Sequence, residues 1–104
     1  MNFKVNIPLL VIKRSKYWVA FSPHLKTYGY SSENAEGAIN DFDRAIETFF
    51  YVHEKLNNLK EVLSKLGWVR QDNSYDLPKL LNTDLGYSSF PSERVNHQIA
   101  VPIM

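Results

Sequence analysis

Residues 17–46, YWVAFSPHLKTYGYSSENAEGAINDFDRAI, pass from a period of two residues to one near 3.6, and that change decides the fold. Tyr17, Val19 and Phe21 share one side of a strand, and Trp18 and Ala20 share the other. Ser22 and Pro23 break that pattern, and residues 26–30 are long enough for one more strand. Ser31 or Ser32 then offers a hydroxyl to cap a helix, with Glu33 and Glu36 near the positive end of its dipole. Ala35, Ile39, Phe42, Ile46, Phe49, Phe50 and His53 recur at helical spacing, as a helix laid across a sheet requires. Cutting Phe49 or Phe50 back to alanine should cost several kcal/mol, on the order of 3–5.

Upstream, Phe3, Val5 and Ile7 alternate with polar residues before an apolar run from Leu9 to Ile12. This reads as a first strand over residues 3–11, buried on both faces in its far half or bent at Pro8, where proline favours an edge or a bulge. The polar residues Arg14, Ser15 and Lys16 predict a hairpin into the aromatic strand. Downstream, Leu56, Leu59, Leu63 and Leu66 form a second, narrower seam that ends at Gly67, and Asn58 with Glu61 suggests a capping pair after a break near Asn57. Residues 71–94 read mostly as loop, with one helical turn through Leu77, Leu80 and Leu81. Val95, Ile99, Val101 and Ile103 predict a final strand that Pro102 keeps near an edge.

The 104 residues fit one domain, 44% hydrophobic and 22% charged, as in an ordinary globular protein. No cysteine is present, which rules out disulfides and thiolate zinc sites and suits a cytoplasmic setting. The amino terminus lacks the unbroken apolar core of a signal peptide, and residues 9–12 fall far short of the roughly 20 apolar residues that span a bilayer. No membrane association is expected.

Net charge is +1 but unevenly spread. Residues 1–32 carry Lys4, Lys13, Arg14, Lys16 and Lys26 and no acid, whereas residues 33–54 carry six acids against Arg44 alone. This fits a basic sheet rim beside a solvated acidic helix, or complementarity to a charged partner.

Catalytic chemistry finds little support, and no enzyme activity or cofactor is expected. His24, His53 and His97 are scattered without ligand spacing, and His53 belongs to the apolar stripe as a hydrogen-bonded core residue. Asp41 and Asp43 point to different sides of a helix, and the four glycines form no phosphate-cradling loop. Glu36, Asp43, Glu47 and Glu54, at steps of seven, four and seven, make an acidic stripe flanking the apolar face. Such acids meet either a sheet lysine of the same chain or a basic ligand, and an exposed Tyr51 beside them favours a contact surface. A nucleic-acid alternative rests on Lys13, Arg14, Lys16 and Trp18, with Tyr17, Tyr28 and Tyr30 interleaved among the basic residues.

Tyr17 to Phe21, then Pro23, His24 and Leu25, then Tyr28, Gly29, Tyr30 and Ser31, then Ala35 and Ile39 together resemble the amino-terminal domain of the HicB antitoxin family. Asn34 stands where that family usually has glutamate, and the loop between Pro23 and Gly29 is shorter than usual. The resemblance implies a two-layer α+β domain: an antiparallel sheet of three amino-terminal strands plus a carboxyl-terminal strand, packed on a long helix, with a second, shorter helix. It further implies a homo-oligomer, a dimer or tetramer, that neutralises a small basic ribonuclease toxin by masking its surface. No helix-turn-helix or ribbon-helix-helix pattern follows Gly67, so direct DNA binding is not expected. A stand-alone oligomeric scaffold or regulator of the same fold, or a single-stranded RNA-binding module, are the alternatives. Residues 59–70 with residues 99–102 are similar to the HicA ribonucleases, but Asn73, Ser74 and Tyr75 occupy the stretch where those toxins carry their histidine.

Overall fold

A computed structural model describes residues 2–79 and 92–103. Its elements run β1 (Asn2–Lys13), β2 (Trp18–Ser22), β3 (Thr27–Ser31), α1 (Ala35–Lys55), α2 (Leu59–Lys65), β4 (Val69–Arg70), β5 (Tyr75–Asp76) and β6 (Ser92–Pro102). The architecture is α+β: a four-stranded antiparallel sheet, ordered β3-β2-β1-β6, packs against α1, with α2 and the small β4-β5 sheet beside it. No helix among the described residues is long and apolar enough to cross a membrane.

β1 continues through Pro8, buried on both faces from Ile7 to Ile12. Pro8 lies opposite Asn96 of β6, two residues before pairing with β2 begins at Leu10, so it sits where β1 has a partner on one side only. A hairpin closes onto β2 with the Arg14 amide donating to the Tyr17 carbonyl at 2.8 Å. The β2-β3 turn is held by Ser22, whose carbonyl accepts from the Lys26 amide (2.8 Å) and whose hydroxyl oxygen accepts from the Leu25 amide (3.1 Å).

Between β3 and α1 the helix start differs from the sequence reading. Asn34, not Ser31 or Ser32, is the N-cap: its Oδ1 accepts from the Gly37 amide at 2.6 Å. Ser31 Oγ instead accepts from the amides of Glu33 and Asn34, shaping the turn that delivers Asn34 to its place. Gly29 is required by contact: a Cβ there would stand 2.2 Å from the Phe42 nitrogen and 2.6 Å from the Ala38 oxygen. The missing side chain lets the helix backbone rest directly on β3. Tyr30 reinforces the contact, its amide donating to Asp41 Oδ2 at 2.9 Å.

Ala38, Phe42, Ile46 and Phe50 are the buried residues of α1, which rotates the expected stripe so that Ala38 joins its centre and Ala35, Ile39 and Phe49 fall at its margins. They meet Ile7, Leu9, Ala20, Ile99 and Val101 from the sheet. The break near Asn57 occurs as expected, with φ +55° at that residue. The amides of Asn57 and Asn58 return to the carbonyls of Glu54 and His53, a pattern that Gly67 (φ +92°) and Trp68 repeat on Ser64 and Leu63 at the end of α2. The expected Asn58 and Glu61 capping pair does not form, because Asn58 Oδ1 lies 2.8 Å from His53 Nδ1 and makes no cap bond. Leu56 falls on the α1 C-cap and is exposed, so only Leu59, Leu63 and, partly, Leu66 form the second seam.

Within residues 71–79, expected as loop, Tyr75–Asp76 pairs with Val69–Arg70 in a short hairpin. Trp68 locks this lobe to the sheet: it is buried and its Nε1 donates to the His24 carbonyl at 2.9 Å, while His24 Nε2 lies 3.0 Å from the Pro78 carbonyl. Leu77 is partly buried against the core; Leu80 and Leu81 of the expected helical turn lie outside the described residues. The final strand forms at the sheet margin beyond β1, but it begins at Ser92, inside the stretch expected as loop, and ends at Pro102, before Ile103.

Candidate functional site

Helix α1 turns its outer side to solvent, and the four acids of the stripe divide there. Glu36, Glu47 and Glu54 are exposed and, among the described residues, make no ion pair. Asp43 is engaged: its Oδ1 lies 2.6 Å from His97 Nε2 on β6, and the imidazole packs edge-to-face on Phe42 at 6.1 Å. Of the two fates the sequence left open for these acids, Asp43 meets the sheet of its own chain, through a histidine rather than a lysine. Ring burial and a charge-capable hydrogen bond together tie β6 to the helix.

Tyr51 is 63% exposed, with Lys55 Nζ 5.5 Å from its ring centre. One turn on, Leu56 is 62% exposed, and Val52 is open beside them. The carboxyl-terminal end of α1 and its C-cap therefore show three large apolar side chains, Tyr51, Val52 and Leu56, in the same stretch as the exposed Glu47 and Glu54. Sequence reasoning found Tyr51 by its angle on the helix but put Leu56 in the core.

The four nucleic-acid candidates divide as well. Trp18 faces α1 and is partly buried against the core, with Lys13 Nζ 5.4 Å from its ring centre. Arg14 and Lys16 are exposed in the β1-β2 turn. The exposed rings lie on the other face of the sheet, where Tyr17 packs on Tyr30 (6.0 Å, interplanar 78°) and Tyr28 on Tyr30 (5.1 Å, 72°). The Tyr30 phenol is raised above the usual tyrosine value, first by its side-chain hydrogen bond with Tyr28, then by desolvation and the neighbouring Tyr28, Tyr17 and Asp41.

A shallow cleft of about 220 Å³ separates α2 from the β4-β5 hairpin, lined by Lys60, Glu61, Arg70 and Tyr75 among others. Arg70 is held there by the carbonyls of Gln71 (2.7 Å) and Asp72 (3.1 Å) and by the Tyr75 ring. Among the described residues no three His, Cys, Asp or Glu side chains converge to hold a metal ion, and no hydroxyl nucleophile hydrogen-bonds to the His97 and Asp43 pair. No family model matches this chain, and neither a curated protein nor a solved structure does, so likeness assigns it to no family.

Proposed function

We propose that this protein acts without catalysis, binding a small basic protein partner through the outer face of α1 in the manner of a HicB-like antitoxin. In this reading it is an oligomeric cytoplasmic protein, and its partner is a ribonuclease toxin whose surface it masks. The observation that carries the reading is the exposed set Tyr51, Val52 and Leu56 at the carboxyl-terminal end of α1, with the exposed acids Glu47 and Glu54 on the same stretch of helix. Large apolar side chains in solvent gain free energy when covered, and unpaired acids beside them select a basic partner and speed its approach. Glu36 extends the same acidic field toward the start of the helix, whereas Asp43 serves mainly to hold β6.

The test is affinity capture of the intact chain from its native host, together with expression of the adjacent reading frames alone and with this chain. The expected result is a small basic protein that is toxic alone, harmless in company, and lost from the Glu47→Lys/Leu56→Asp variant. Recovery of no basic partner, combined with harmless neighbouring frames, overturns the reading and leaves a stand-alone scaffold.

A further inference from the structure

The side of the sheet turned away from α1 has a character of its own, set by strand register. Gly29 and Ala20 pair on the helix side, so their neighbours Tyr28, Tyr30, Val19 and Phe21 emerge on the far side. Tyr28 and Tyr30 stay 51% exposed and Tyr17 41% exposed, even though their rings pack on one another. Three adjoining tyrosines half in solvent form an aromatic platform rather than scattered surface residues.

Charge supplies the second observation. Residues 2–32 contain no carboxylate, so none of β1, β2 or β3 places one beside these rings. On β6, register sends Arg94, Asn96, Gln98 and Ala100 to this side and Glu93 to the other. Lys16 and Lys26, both exposed, stand in the turns at either end of β2. Asp41 approaches from the sheet margin, where its two oxygens are taken up by the Tyr30 amide and the Arg44 guanidinium. The described part of this side therefore combines neutral aromatic rings with cations and uncharged amides, while the exposed acids Glu36, Glu47 and Glu54 belong to α1 across the sheet.

We propose that the Tyr17, Tyr28 and Tyr30 face binds single-stranded nucleic acid, its rings taking unstacked bases and the flanking lysines the phosphates. Stacking on tyrosine is tolerant of sequence, and the lysines recognise a charge that every nucleotide carries. A duplex keeps its bases stacked internally and cannot present them to the rings. This surface differs from the α1 face, so the two readings stand or fall separately.

The experiment is fluorescence anisotropy of the intact chain with labelled oligouridylate and oligothymidylate of about a dozen nucleotides, and with a matched duplex, at about 50 and 200 mM salt. Single strands should bind and the duplex should not. Tyr28→Ala and Tyr30→Ala should each weaken binding about tenfold, while Tyr28→Phe and Tyr30→Phe keep it because the ring remains. Lys16→Gln should flatten the slope of log affinity against log salt by about 0.7, and the α1 variant Glu47→Lys/Leu56→Asp should leave the tyrosine dependence intact. Oligouridylate and oligothymidylate, compared, say whether RNA or DNA is preferred. Absence of binding at low salt overturns the proposal, as does binding that survives the double Tyr28→Ala/Tyr30→Ala change in a chain with unaltered circular dichroism. An oligomer that dissociates in the alanine variants while no strand is retained also overturns it and makes the face a contact between copies.

Discussion

The two halves of α1 are built for different ends. From Ala35 to Ile46 the helix rests on β3 with no Cβ between backbones at Gly29, an Asn34 cap, and Asp41 reaching to the Tyr30 amide. From Glu47 onward it still buries Phe50, but it shows Tyr51, Val52 and then Leu56 to solvent. A single helix thus anchors with one half and displays with the other. Stability should therefore concentrate near its start and recognition near its end.

The largest effect should come from Phe42, fully buried beneath the anchored half: Phe42→Ala should lower unfolding free energy by about 3–5 kcal/mol in a urea titration. Gly29→Ala comes next. Its methyl would press on the Phe42 nitrogen, so the helix must lift from β3 at a cost of about 1–3 kcal/mol, read as a lower urea midpoint. Asn34→Ala removes the bond to the Gly37 amide and should cost about 1 kcal/mol, with Asn34→Asp retaining most of it. Smallest are Tyr51→Ser and Leu56→Ser, which should stay within about 0.5 kcal/mol of the parent because both side chains are already in water. A Leu56→Ser loss as large as that of Asn34→Ala would break the division, whereas unchanged stability with lost partner capture would sharpen it.

The sequence made the sheet and long helix readable because each carries its own period over enough residues to count. The run Phe42 to Phe50 was legible in this way, whereas Gly29 stood out only through the resemblance, and the close approach of α1 that requires it follows from the packed structure. The cap was not: Ser31, Ser32 and Asn34 are all competent, and the point at which β3 releases the chain selects among them. The β4-β5 hairpin escaped because strands of two residues have no measurable period. Asp43 and His97 stand 54 residues apart, and their contact follows only once β6 is placed in register beside β1 and beneath α1. The sequence left Trp18 open between the core and a nucleic-acid surface, because alternation separates two faces without saying which one a helix covers. The tyrosine cluster was visible as composition, but its grouping required the pairing of β2 with β3.

Asp41 has a consequence at the level of assembly. With its carboxylate on the Tyr30 amide, a copy arriving as an extra strand beside β3 finds a hydrogen-bond position already filled. An extra strand pairing there would have to displace the carboxylate first, a local obstacle to edge-to-edge aggregation along β3.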